Sequence, residues 1–195
     1  MAYDAETDTS DEVLLARYAK GDRSAALALT QRITPRVLGY ATRLLAGDRA
    51  EAEDVAQETM LRLWRMAPEW QPGSAKVTTW AYRVATNLCI DRKRSGRRRG
   101  QVALDDAPDV ADAGPAADEA LQDHRRMQAL QDALADLPDR QRQAVVLRHI
   151  EGLSNPEIAA VMAIGIEAVE SLTGRGKRAL AARLLDRRDA LGYEG

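Results

Sequence analysis

Leu153-Ser154-Asn155-Pro156-Glu157-Ile158-Ala159-Ala160-Val161-Met162-Ala163-Ile164-Gly165-Ile166-Glu167-Ala168-Val169-Glu170-Ser171-Leu172 reads as a helix, a turn and a second helix. Ser154 stands where an N-cap belongs, and Glu157, three residues on, supplies its capping-box partner. Ile158, Ala159 and Met162 share one face of a short helix over 156–162, and Ile164 plugs the turn at 163–165. Val169 and Leu172 bury one face of a longer helix expected over 167–186. Ala159 is small where the two helices must cross closely. This is the spacing of a helix-turn-helix, whose second helix is left free to enter a major groove. A plain αα-hairpin within a bundle has the same apolar faces, so the neighbouring sequence has to discriminate.

Upstream of this stretch the chain stays helical, and the whole reads as all-α. A helix over about 121–135 precedes Leu137-Pro138, where a further helix starts and runs to Ile150, stopped by Gly152. Residues 101–120 hold Asp, Ala, Pro and Gly and almost no large apolar side chain, too little to offset the entropy of ordering them. They are expected to form a flexible acidic linker between a domain at 1–100 and a helix-turn-helix domain at 121–195, oriented independently of each other. In the first domain, Ser10 and Asp11 cap a helix over 11–20 that ends at Gly21. A second helix spans Ser24–Leu45, kinked at Pro35. Asp48 and Glu51 form a capping-box pattern for a third. The third buries Ala52, Val55, Ala56, Met60, Leu63, Trp64 and Ala67, and presents Asp54, Gln57, Glu58 and Arg62 on the opposite face. Pro68 breaks it, a loop follows over 69–76, and Thr78 or Thr79 caps a fourth helix. Val77 is its staple, and Ala81, Val84, Ala85 and Leu88 its core face. That helix dissolves near Gly96–Gly100.

The chain has 195 residues and a formal net charge of only −2, but the charge is polarised. Arg83, Arg92, Lys93, Arg94, Arg97, Arg98 and Arg99 crowd one segment. Asp105, Asp106, Asp109, Asp112, Asp118 and Glu119 then follow with no basic residue among them. Such a map suits a polyanion partner better than the net value suggests. The N-terminus is acidic and lacks the apolar core of a signal peptide, and no apolar run approaches the roughly 20 residues of a membrane span. The single cysteine, Cys89, excludes an intramolecular disulfide. A cytoplasmic protein without membrane insertion is expected.

Trp70, Trp80 and Tyr82 are three of the eight aromatic residues, and they lie just upstream of the arginine block. Aromatic platforms beside a basic groove are what single-stranded DNA binding requires, and the loop at 68–76 can wall a pocket for an extruded base. Arg83, Asn87, Asp91 and Arg94 follow at steps of three or four on one face. Asn suits adenine edges and Arg suits phosphates. The competing reading packs Trp80 in a core and leaves the arginines merely solvated.

With these segments in view, the chain resembles the extracytoplasmic-function (ECF) sigma factors of the sigma-70 family. The stretches at 51–65 and 80–91 resemble their second conserved region. Leu137-Pro138, Arg142, Ala144-Val145-Val146-Leu147-Arg148 and Leu153-Ser154 with Glu157-Ile158-Ala159 resemble their fourth. The resemblance runs from about residue 11 to 186 and is similar in order around the linker. It implies two helical domains and a partner, core RNA polymerase. Asp54, Gln57, Glu58 and Leu61 would dock on the clamp helices of its largest subunit. Trp70, Lys76, Thr79, Trp80, Arg83, Asn87, Asp91 and Arg94 would open and read the −10 element of promoter DNA. The linker would thread toward the active-site cleft. Glu167, Glu170, Ser171, Arg175, Lys177 and Arg178 would read the −35 element, with the last helix touching the polymerase flap. An anti-sigma factor would hold the protein inactive until a stress signal. The recognition helix departs from the family pattern. Gly165-Ile166-Glu167 offers no hydroxyl cap, and Glu170, not a basic residue, follows Val169. Glu167 and Glu170 either accept from cytosine amino groups or repel phosphate. Gly174 and Gly176 each weaken the helix by about 1 kcal/mol relative to Ala.

No serine-histidine-acid set, phosphate loop or paired catalytic carboxylates emerges, so the chain is expected not to be an enzyme and to need no cofactor. His124 and His149 lack a ligand cluster, which argues against a metal site. Cys89 is expected to be a packed thiol. The charged face at Glu51, Glu53, Asp54 and Glu58 fits docking better than acid–base work. A stand-alone helix-turn-helix regulator would account for residues 123–186 alone, and a decoy that mimics a sigma factor would account for the altered recognition helix.

Overall fold

The computed structural model describes residues 9–71, 73, 75–99 and 115–186, and these form helices joined by short turns. In the first half, α1 spans Asp11–Ala19, α2 Arg23–Leu44, α3 Arg49–Met66 and α4 Val77–Arg99, with one 3₁₀ turn at Ala67–Glu69. In the second, α5 spans Pro115–Ala135 and α6 Asp139–Val145. A π-helical turn at Val146–Ile150 continues α6, and α7 (Asn155–Met162) and α8 (Ile166–Asp186) complete the chain.

The caps explain the first boundaries. The Ser10 hydroxyl accepts from the Val13 amide, and the Asp22 carboxylate accepts from the amides of Ser24 and Ala25. Gly21 and Gly47 turn the chain with φ of +95° and +93°, values that suit glycine. The capping box expected at α3 is half formed. Asp48 accepts from the Glu51 amide at 3.0 Å, but the Glu51 carboxylate swings to Arg92 of α4 instead of closing the box. At α4 the expected threonine cap is absent. Val77 is already helical, its amide donates to Glu12 of α1, and Thr79 is buried. Helix α4 also runs through Gly96 to Arg99. Helix α5 starts at Pro115, inside the segment expected to be linker; residues 101–114 lie outside the described residues. Pro35 sits within α2, which continues on both sides of it.

The core of the first half is Leu14 and Leu15 of α1, Leu29, Ile33, Val37 and Tyr40 of α2, Val55 and Leu63 of α3, and Val77, Ala81 and Ala85 of α4. Tyr18 and Trp64 close one end with rings 4.5 Å apart. The second half buries Ala133, Leu134, Leu137, Val145, Val146, Leu147, Ile158, Met162 and Val169. All of these except Ala133 join one apolar cluster that runs through both halves. The halves therefore differ from the independently oriented pair expected from the linker composition, because specific side chains cross between them.

Candidate nucleic-acid interface and docking face

The residues expected to dock lie on α3. Asp54, Gln57 and Leu61 are exposed, and Leu61 is 42% open despite being apolar. Glu58 is half-buried and bonds Arg62 one turn on, at 2.7 Å. Beside this face lies a groove of about 510 Å³ between α2 and α3, lined by Leu38, Ala56, Gln57, Met60, Leu61 and Trp64. Its walls are largely apolar with a polar rim. Asp54 is not wholly free, since its carboxylate lies 3.4 Å from the Arg92 guanidinium. Glu51 and Asp54 together hold Arg92, so one member of the basic block serves to brace α4 on α3.

The fourth helix divides its residues sharply. Arg83, Asn87, Asp91 and Arg94 are all exposed along one face, as expected. Lys76 is exposed at the helix entrance. Trp70 and Trp80 are half-buried and pack against the core. Thr79 and Tyr82 point inward. Tyr82 is 1% exposed, its ring edge-on to Tyr40 at 5.1 Å, so it is no stacking platform. The core face is broader than periodicity indicated, since Tyr82, Thr86 and Cys89 are buried in addition to Ala81 and Ala85. Burial pushes the Cys89 thiol up to about 12, which keeps it protonated and inert.

In the helix-turn-helix, Ser154 and Glu157 close the expected capping box, and Ala163 makes the turn in the left-handed region at φ +52°. Ile158, Met162 and Val169 are buried, with Ala159, Ile164 and Leu172 packed against them. Glu167, Glu170, Ser171, Arg175, Lys177 and Arg178 all lie exposed on α8. Glu170 accepts from the Asn155 amide nitrogen at 3.3 Å, tying α8 to the start of α7. That contact is a third role for Glu170, beyond reading cytosine or repelling phosphate. The two glycines also separate. Gly174 faces open space, whereas a Cβ on Gly176 would stand 2.6 Å from Val145 Cγ2 and 3.1 Å from the Gln141 carbonyl oxygen. Gly176 is the close-approach point of α8 on α6, and not a defect in the helix.

Sequence reasoning missed the polar seam between the halves. Arg142, 5% exposed, donates to the carbonyl oxygen of Leu44 at 3.0 Å and to those of Ala135 and Leu137. It thereby satisfies orphan carbonyls at the C-terminal ends of α2 and α5, where a cation is favourable. Gln143 donates to Thr86 Oγ1, which is also 2.7 Å from the Tyr40 hydroxyl. Tyr82 donates to Glu151, and Arg43 lies 3.9 Å from the same carboxylate. Lys93 pairs with Asp139 at 2.5 Å and Lys76 with Glu157 at 2.8 Å. The only sequence signal was the polar pair Arg142-Gln143 inside an apolar run, and it does not say which element they face. No group of three or more His, Cys, Asp or Glu able to hold a metal occurs among the described residues. None of their helices is long and apolar enough to cross a membrane.

Residues 29–99 match the family model for sigma-70 region 2, and residues 127–180 match that for sigma-70 region 4. The chain is 37% identical to the ECF RNA polymerase sigma factor SigE of Mycolicibacterium smegmatis over 83% of its own length, and it spans 63% of that protein. It is 34% identical to ECF RNA polymerase sigma factor SigM of Mycobacterium tuberculosis, over 91% of this chain and 86% of SigM. Among solved structures, CnrH in complex with the cytosolic domain of CnrY superposes with a TM-score of 0.65 at 28% identity, covering 91% of this chain and 98% of CnrH. The sigma factor RpoE of Bartonella quintana, solved with the anti-sigma factor NepR, shares the fold at a TM-score of 0.63 and 22% identity, over 85% of this chain and 96% of RpoE.

Proposed function

The chain belongs to the ECF sigma factors of the sigma-70 family, and from that membership we propose that it binds core RNA polymerase and directs promoter-specific initiation in the cytoplasm, catalysing nothing itself. In this reading residues 1–100 form the polymerase-docking and −10 domain, 101–120 the linker, and 121–195 the −35 domain. The observation that carries it is the pair of separate faces on one small domain. Helix α3 offers Asp54, Gln57, Glu58 and Leu61 beside an apolar groove, while α4 offers Arg83, Asn87, Asp91 and Arg94 on another side. A stand-alone duplex-binding regulator needs only the helix-turn-helix and leaves both faces without purpose.

At the −10 element, Arg83, Arg94 and Lys76 supply phosphate contacts, Asn87 faces a base, and Trp80 and Trp70 wall the site from behind. Thr79 and Tyr82 act through packing. At the −35 element, Arg175, Lys177 and Arg178 meet the backbone, while Ser171 and Glu167 stand nearest the groove-facing start of α8. Solved complexes of similar proteins support a protein partner as well. CnrH was captured with the cytosolic domain of CnrY, and by analogy an anti-sigma factor would hold this chain until a stress signal. The test is transcription by core polymerase with and without the purified chain, on a genomic fragment library, with transcripts sequenced. The expected result is a defined set of start sites carrying a shared −10 and −35 pair. Duplex binding without any transcript would instead indicate a stand-alone regulator. Binding to neither core enzyme nor promoter would indicate a decoy.

A further inference from the structure

The outward face of α8 carries two features that folding alone does not explain. Glu167, Glu170, Gly174, Lys177 and Arg178 follow at steps of three and four, so they share the face opposite the buried Val169 and Gly176. The helix macrodipole favours an acid in the first turn, which accounts for Glu167. That effect fades beyond the first turn, and Glu170 stands further along. No cation among the described residues pairs with Glu170. It is held instead by the side-chain amide of Asn155, whose Nδ2 donates to Oε1 at 3.3 Å from the start of α7. A neutral donor fixes the carboxylate without cancelling its charge, and leaves Oε2 open. Gly174 is the second feature. A Cβ built on it would meet nothing within 4 Å, so packing within the chain does not call for glycine there. Glycine weakens a helix interior, but it lets another molecule approach the backbone closely.

An ionised carboxylate only accepts hydrogen bonds. In the major groove guanine, adenine and thymine each present an acceptor, whereas cytosine presents its amino group alone. A fixed carboxylate in that groove therefore meets repulsion at every base but cytosine. We infer that Glu170 reads a cytosine of the −35 element, with Asn155 as its positioning residue and Gly174 as the point where the duplex comes closest to α8. The inference deepens the −35 role proposed for α8 and rests on it. The stripe is then graded along its length. Glu170 near its start tests a base, Gly174 in the middle lets the helix sit deep, and Lys177 and Arg178 at its end meet phosphates. A charge that would be unfavourable beside the DNA backbone becomes a filter on sequence.

The test reconstitutes core RNA polymerase with the full-length chain on a duplex library. Each duplex keeps the −10 region of a start site recovered from the genomic fragments, and the base pairs around its −35 position are randomised. Sequenced transcripts read the preference at each position, and thermal melts verify that each variant is folded. Wild type is expected to select cytosine, on either strand, about tenfold over other bases at one position. Glu170→Ala should flatten that position alone. Glu170→Gln should turn it to adenine, whose adjacent donor and acceptor suit an amide. Asn155→Ala should keep cytosine there but cut its selection at least about threefold, because the carboxylate is no longer preorganised; general weakening of the domain would not confine the change to one position. Gly174→Ala should lower transcription severalfold at every −35 sequence while raising Tm. Unchanged preference in Glu170→Ala, or flattening at a position where wild type does not select cytosine, overturns the reading. A uniform gain from Glu170→Ala makes the glutamate a repeller of phosphate and overturns it too. Asn155→Ala indistinguishable from wild type removes the positioning role, and Gly174→Ala with full transcription removes the close approach. Wild-type transcription that ignores the −35 sequence overturns the inference and leaves the sigma-factor reading standing, whereas absence of any transcript overturns both.

Discussion

Glu157 shows how much one side chain can be asked to do. Its carboxylate accepts from the Ser154 amide and hydroxyl, which caps α7, and from Lys76, which reaches over from the other half. These donors, Lys76 foremost, pull it from an ordinary 4.5 down to about 2. A depressed carboxyl stabilises the folded, closed chain fully above its ordinary value, and that contribution is lost as pH falls toward 2. Lys76 is 68% exposed, so solvent screening keeps the pair itself a small contributor. NMR titration of the Glu157 carboxyl is expected to show a midpoint near 2. In Lys76→Met the midpoint should climb toward 4.5 without reaching it, because the Ser154 bonds remain. A midpoint that ignores the substitution would mean Lys76 does not reach across. The capping box was legible from Ser154 and Glu157 three residues apart. The lysine was not, because its partner lies 81 residues away along the chain.

At the scale of elements, the two glycines of α8 look alike on paper and differ in space. Both carry the same intrinsic penalty in a helix. Only Gly176 lies where α8 meets α6, with Val145 and the Gln141 backbone against it. Gly174→Ala is therefore expected to stabilise the protein by about 1 kcal/mol, raising Tm by about 2–4 °C for a chain of this size. Gly176→Ala is expected to destabilise it by about 1–3 kcal/mol, because the Cβ must push α6 and α8 apart. Thermal melts of the two variants read the contrast directly, and equal shifts of the same sign would remove the close-approach argument. A similar divergence separates α4 from its periodicity. Val77, Ala81 and Ala85 are buried as their spacing indicates, yet Tyr82, Thr86 and Cys89 are buried too. A second layer, the region-4 half, covers that flank, and a single amphipathic stripe does not reveal two covering partners.

At the largest scale, the decisive fact is that one apolar cluster among the described residues joins Leu14 of the first half to Val169 of the second. Arg142, clamped on carbonyl oxygens at the ends of α2 and α5, stitches the halves together. Removing it would strand the buried carbonyl oxygens of Leu44 and Leu137 and the half-buried one of Ala135, each costly without a partner. The described chain is accordingly expected to unfold in one cooperative calorimetric transition, with the two halves losing structure together. Arg142→Leu is expected to lower Tm and to split the endotherm in two, since each half has its own core but neither retains the seam. A split endotherm already in the wild type would show that the halves are coupled only weakly.

What the sequence by itself determined is everything carried by short-range spacing: the all-α character, the helix-turn-helix from Ser154 to Leu172, the polar outer face of α3, and the exposed stripe from Arg83 to Arg94. Helix periodicity and capping act over three or four residues, so they are written locally. Only the tertiary structure decided that Tyr82 and Thr79 face inward, that Arg92 braces α3 while Arg83 stays exposed, that Gly176 is a contact point, and that the two halves close on each other. Those outcomes depend on pairs such as Thr86 with Gln143 and Leu44 with Arg142, which lie 57 and 98 residues apart. No local pattern encodes which of two polar faces will find its partner at such a distance. The apolar-poor stretch at 101–120 suggested separation because composition reports the cost of ordering a segment, not the contacts made by the domains on either side of it.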